Sequence, residues 1–166
     1  MRTLVMTITD ISNGAFTTEN CEVLLRVLQW AGHTYQGHKV VALILMGGHY
    51  FSNGIALNAI EHRGNAAPNP EDADQWAGEE TWANISAIDD VVEYLAGDTN
   101  SERSAFLEGK KSLCERGVTT IAVLRGNAAA GGVAVAAACD VVFAAENTVL
   151  NPAYRAMGLH GSEFHS

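Results

Sequence analysis

Residues 119–140 read TTIAVLRGNAAAGGVAVAAACD, passing from a β-branched run through Arg-Gly-Asn into about fifteen residues that are nearly all Ala, Val and Gly. That order predicts a buried strand, a small-residue turn and a helix whose first residues carry almost no side chain. The start of a helix leaves its first N–H groups without intrahelical partners, and small residues let a ligand oxygen approach them. Tight packing of a helix on a sheet asks for the same residues, and on pattern alone it is the commoner reason for them. A second segment has the same local grammar: residues 40–57, VVALILMGGHYFSNGIAL, give a continuous apolar run, a Gly-rich loop and a short helix.

Working outward, TLVMTI (3–8) reads as a strand and Asn13-Gly14 as a turn. Thr17 or Thr18 is placed to cap a helix with Glu19 in its first turn, and Val23, Leu24, Val27, Leu28 and Ala31 give it a core-facing stripe. Residues 38–46, HKVVALILM, predict a strand buried on both faces. Residues 65–75 read as a surface loop, and from Glu79 onward Trp82, Ile85, Ile88, Val92 and Leu95 fit an amphipathic helix whose solvated face carries Asp89 and Asp90. A polar surface helix is expected over 101–116. Strand–helix alternation with buried strands makes the fold class layered α/β, and 166 residues suit one domain spanning 1–166.

Ten basic against nineteen acidic residues give a net charge of -9 with no basic stripe, which argues against a nucleic-acid partner. No segment reaches the ~20 apolar residues of a membrane span and no signal peptide is evident, so no membrane partner is expected. The three cysteines are far apart and form no C-x-x-C pair, which favours a reducing, cytoplasmic setting over a disulfide or zinc framework. The six histidines form no recognisable ligand set, and His160 and His165 are read as non-ligands, so no metal is expected.

Several short motifs, in order, resemble the crotonase (enoyl-CoA hydratase/isomerase) superfamily: FSNGIAL and RGNAAAGGVAVAAACDVVFAAENTVLNP carry its two signature segments. Within it, NGAFTTENC, LMGG, FSNGIALNAIE, ETWANISAIDD, LRGNAAAGGV and VLNPAYRAMGLHGSE are most similar to the C-terminal crotonase-like domain of the maturation factors that supply carbon monoxide for NiFe-hydrogenase assembly. The resemblance implies a ββα spiral core. It implies that the backbone N–H groups of Ile55 and Gly131 form an oxyanion hole for a thioester carbonyl, with Gly54 allowing the first turn and Gly132 opening the helix beside Gly131. Gly126 and Asn127 belong to the same loop and substrate-binding segment, where Asn127 either holds the loop or meets the pantetheine arm; loop-holding is the commoner role of Asn. Arg125 and Arg155 are cations near enough in sequence to meet CoA phosphates or to be ordinary surface ion-pair partners.

The departures from enoyl-CoA hydratases narrow the chemistry. The two glutamates that handle proton and water in those enzymes fall here on Ala134 and Tyr154, which makes hydration an improbable reaction. The maturation factors have an apolar residue and a tyrosine at these places, and the reaction they imply is decarbonylation of formyl-CoA to carbon monoxide and CoA. Tyr154 is then the candidate for proton transfer, Glu163 its partner and Ser162 a relay or positioning group. No cofactor is tightly bound in that reading, CoA being part of the substrate, and the family implies a homo-oligomer, a trimer or dimer of trimers. Members of the fold continue through C-terminal helices that cover the acyl site. The chain ends at Ser166, so a core without those helices is expected, whether truncated or naturally short. Other acyl-CoA chemistry, such as thioester hydrolysis or isomerisation, and a non-catalytic CoA-binding or assembly module are the alternatives.

Overall fold

A computed structural model describes residues 2–8, 14–33, 40–97 and 111–153. The chain winds through successive turns, each contributing one strand to a four-stranded parallel sheet, and the last three also contributing a short strand to a second parallel sheet. β1 (Arg2–Thr7), β3 (Val40–Met46), β6 (Thr119–Leu124) and β8 (Val141–Ala144) form the first sheet in the order β1-β3-β6-β8. β4 (Tyr50–Ser52), β7 (Asn127–Ala129) and β9 (Leu150–Asn151) form the second, and β2 (Ala15–Phe16) pairs with β5 (Gly54–Ile55). All pairings are parallel, as chain-returning helices require. The helices are α1 (Thr18–Gly32), α2 (Leu57–Asn65), α3 (Ala73–Ala96) and α4 (Gly131–Ala137).

α1 starts where Thr17 caps it, the Thr17 Oγ1 accepting from the Asn20 N–H at 3.1 Å. Its buried face is Cys21, Leu24, Leu25, Leu28 and Ala31, so the expected stripe is rotated: Val23 is exposed and Val27 only half-buried. α3 begins earlier than expected, at Ala73, and buries Ala87, Ile88, Val91, Val92 and Leu95. Trp82 is corrected from core to surface, being 75% exposed. At about 100° per residue it stands roughly 120° around the helix from Ile88, outside the buried arc.

β3 is central, but only one face is deeply covered: Leu45 is fully buried, whereas Ala42, Ile44 and Met46 are half-buried. α1, α3 and α4 gather on the Leu45, Ala122 and Leu124 side. On the other side the described elements leave Val5, Val141 and Phe143 exposed. The expectation of a surface helix over 101–116 falls largely outside the described residues. Within 111–117 the chain turns instead, with Ser112 and Glu115 each accepting from the other's backbone N–H and Leu113 fully buried.

The α4–β8 corner is fastened to β6 by Asp140. Its Oδ2 accepts from the Thr120 N–H (2.7 Å) and Thr120 Oγ1 (2.9 Å), while the Asp140 N–H donates back to Oγ1 (2.9 Å). Thr120 is fully buried, so losing the carboxylate strands its donors. Asp140→Ala is expected to lower stability by about 2 kcal/mol in urea unfolding, and an unchanged midpoint would contradict the role.

Burial pushes the Cys21 and Cys139 thiols up to about 12, whereas Cys114 is exposed. A thiol reagent is therefore expected to label one cysteine in the native protein and the other two only on unfolding; rapid labelling of all three would contradict the packing. Because the unfolded chain releases the two buried protons near pH 9, below the folded pKa, their contribution is intact below about 9. It is lost as pH rises toward 12.

Candidate functional site

The two glycine segments meet. β6 leads into β7 through Arg125-Gly126, and β3 leads into β4 through Gly47-Gly48, and the two crossings interlock. The Gly47 N–H donates to the Val123 carbonyl (3.2 Å), Arg125 Nε donates to the Gly47 carbonyl (2.9 Å), and Gly126 lies so close to the His49 carbonyl that a Cβ there would overlap it. Arg125 thus acts as a brace between the loops. Asn127 holds its loop, its Oδ1 accepting from the Val149 N–H at 2.9 Å.

One strand position further on, Gly54 and Gly131 are neighbours. A Cβ on Gly54 would stand 3.1 Å from the Gly131 nitrogen and 2.5 Å from the Ala130 Cβ, and Gly54 has φ +83°, a region that disfavours any side chain. The Gly54 N–H donates to Ser52 Oγ at 3.0 Å. Ser52 is fully buried, and its carbonyl faces Gly132, where a Cβ would come within 2.5 Å. A serine two residues before a glycine is the local signal for such a side-chain turn, and it is the framework residue the sequence reading left out.

Two backbone N–H groups, those of Ile55 and Gly131, are the candidate donors of this neighbourhood. The Ala56 N–H donates to the Phe16 carbonyl at 2.9 Å. N–H groups alternate in direction along a parallel strand, so the Ile55 N–H points away from β2. Gly131 opens α4, where an N–H has no intrahelical acceptor. Its approach is shaped by Ala130, which turns β7 into α4 with φ 48°, an uncommon conformation for a residue with a side chain. Nothing in a run of alanines signals that strain.

Ala134 lies one turn into α4 and is 4% exposed, so this wall offers a methyl group and no carboxylate. Tyr154, Arg155, His160, Ser162, Glu163 and His165 lie outside the described residues. An apolar cleft of about 170 Å³, lined in part by Ile8, Phe16, Val23, Val27 and Tyr50, opens beside β2. Neither Ile55 nor Gly131 lines it, so it neighbours the two donors without including them. Among the described residues no group of three His, Cys, Asp or Glu is placed to hold a metal, and no helix is long and apolar enough to cross a membrane.

No family model matches the chain. It is 35% identical over 153 residues to the hydrogenase maturation factor HoxX of Bradyrhizobium diazoefficiens, an alignment covering 92% of this chain and 22% of HoxX. It superposes on HypX from Aquifex aeolicus in complex with tetrahydrofolic acid with a TM-score of 0.62 and 35% identity, over 89% of this chain and 21% of HypX. An enoyl-CoA hydratase from Polaromonas sp. JS666 matches at TM-score 0.61 and 22% identity, over 96% of this chain and 51% of that one, a likeness of fold alone. The chain spans about a fifth of the length of HoxX and HypX. It thus has the crotonase fold and is related, through a stretch of that length, to the HypX/HoxX hydrogenase maturation factors.

Proposed function

We propose that the chain acts on a CoA thioester, with the Ile55 and Gly131 N–H groups as the two donors to its carbonyl oxygen and formyl-CoA as the substrate. The observation that carries this is the meeting of Gly54-Ile55 with Gly131 beside a buried Ala134. Two fixed backbone dipoles suit the charge that gathers on a thioester oxygen. A wall without a carboxylate has nothing to activate water in the manner of a hydratase.

Decarbonylation needs less from the side chains. The C–S bond of HC(=O)–S-CoA breaks, the formyl proton leaves carbon, sulfur gains a proton, and the products are carbon monoxide and HS-CoA, with no oxidant or reductant. Tyr154 is our candidate for carrying that proton, with Glu163 as its partner and Ser162 orienting the pair. A phenol near its ordinary pKa of about 10 is a weak base, so the Glu163 carboxylate has a clear part to play as acceptor. By the same kinship with hydrogenase maturation factors, the carbon monoxide would serve hydrogenase assembly, and the working form would be a trimer or dimer of trimers.

The test is to mix the protein with formyl-CoA and deoxyhaemoglobin and follow the carbonmonoxy-haem spectrum together with free thiol. Equal release of carbon monoxide and thiol is expected, falling by about a hundredfold in Tyr154→Phe. Thiol without carbon monoxide identifies hydrolysis instead. Binding without either product identifies a non-catalytic CoA module.

A further inference from the structure

Three residues at four-residue spacing on α3, Glu80, Asn84 and Ile88, each touch a different part of the frame around the two donors. Glu80 Oε1 accepts from Thr18 Oγ1 at 2.9 Å, at the first residue of α1. Asn84 Nδ2 donates to the Phe16 carbonyl at 2.8 Å, the same oxygen that accepts from the Ala56 N–H next to Ile55. Ile88 fills the space before Gly131, where a Cβ would meet its Cδ1 at 2.9 Å. The Ile55 side and the Gly131 side are therefore gauged from one helix, by residues one turn and about 6 Å of rise apart.

Asn84 is 1% exposed, and its Oδ1 is buried with no hydrogen-bond partner among the described residues. Turning the amide round would not help, because the Phe16 carbonyl requires a donor and would then face an oxygen. An unpaired buried acceptor is destabilising, and the Phe16 carbonyl already accepts from Ala56 without Asn84. A leucine, branched at the same carbon, would remove the orphan at the loss of one supplementary hydrogen bond. Asparagine at this place serves stability poorly, but it fixes direction: it clamps the β2–β5 pair from the α3 side and, through the Phe16 carbonyl, steadies the Ile55–Ala56 peptide, which adjoins the one that carries the Ile55 N–H.

We infer that Asn84 is a positioning residue, which acts through the Phe16 carbonyl to aim the Ile55 N–H at the same point as the Gly131 N–H. The inference rests on the CoA-thioester reading of the site. Its test is the infrared carbonyl band of acetyl-CoA, isotope-labelled at that carbonyl, bound to the full chain. With the native protein the band is expected to move to lower frequency. In Asn84→Leu more than about half of that displacement is expected to vanish, with affinity changed less than about threefold and a thermal midpoint equal to or above native. Asn84→Ser, which cannot reach the Phe16 carbonyl, carries the same test if the leucine variant fails to fold. Full displacement in both variants, or a lowered midpoint with the displacement kept, overturns the positioning role. Acetyl-CoA that does not bind, or binds to native protein without any displacement, overturns the thioester-site reading and the inference with it.

Discussion

Gly126→Ala is expected to lose at least about 3 kcal/mol of stability, because among the described glycines it is the one where an added methyl meets the closest obstacle. The added Cβ would fall on the His49 carbonyl, which is backbone and has no rotamer to escape through. The two loops pressed together there are also joined by the Gly47 N–H to Val123 bond and the Arg125 to Gly47 bond, and they feed directly into the Tyr50–Asn127 pairing of β4 with β7. Separating them by the width of a methyl loosens all three at once. For a chain of this size that is a fall of roughly 10 °C in thermal midpoint, measured by circular dichroism. A midpoint within about 2 °C of native would contradict the interlock.

Gly54→Ala is expected to act on function more than on folding, lowering turnover by about a hundredfold or more. Two causes combine. At φ +83° an alanine is strained by about 1 kcal/mol, and its methyl would stand 2.5 Å from the Ala130 Cβ and 3.1 Å from the Gly131 nitrogen. Ala130 already holds a positive φ, so it has little room to give and its displacement is passed to Gly131. Gly97→Ala is the control, since Gly97 ends α3 at φ 105° with only ordinary contacts around it and is not among the residues framing the two donors. The control should show comparable backbone strain with turnover intact. Equal loss of turnover in both variants would assign the effect to stability alone.

What could be read in the sequence, and what could not, follows from length and phase. β1, the Thr17 cap and the strand-then-glycine segments carry strong local signals, and the structure has them. β2, β4, β5, β7 and β9 are two or three residues long, too short for an alternating pattern to show, yet they build the second sheet and the β2–β5 pair and bring Gly54 to Gly131. On α1 and α3, apolar residues outnumber the positions the core can take, so Val23 and Trp82 match the inward-facing spacing yet stand exposed; burial alone settles the phase. α4 takes only seven residues of the small-residue tract, and its end could not be placed from the sequence because alanine and valine give no polar face to mark it. The motif residues of the site came from resemblance. Ser52, Asn84 and Ala130 came only from geometry, as each matters through a contact distant in sequence or through a backbone angle. The proposed proton-transfer pair, Tyr154 and Glu163, and the positioning group Ser162 lie outside the described residues and come from resemblance.

The central claim, that two backbone N–H groups on different turns of the fold grip one thioester oxygen, is tested most directly by amide nuclear magnetic resonance. Acetyl-CoA and a CoA thioether lacking the carbonyl are titrated in parallel into isotope-labelled protein. With acetyl-CoA the Ile55 and Gly131 amide protons are expected to move downfield together, with one shared binding curve, and the thioether is expected to leave both unmoved while still perturbing other residues of its binding site. If the thioether shifts them equally, or if only one of the two amides responds to the thioester, the paired-donor site does not exist.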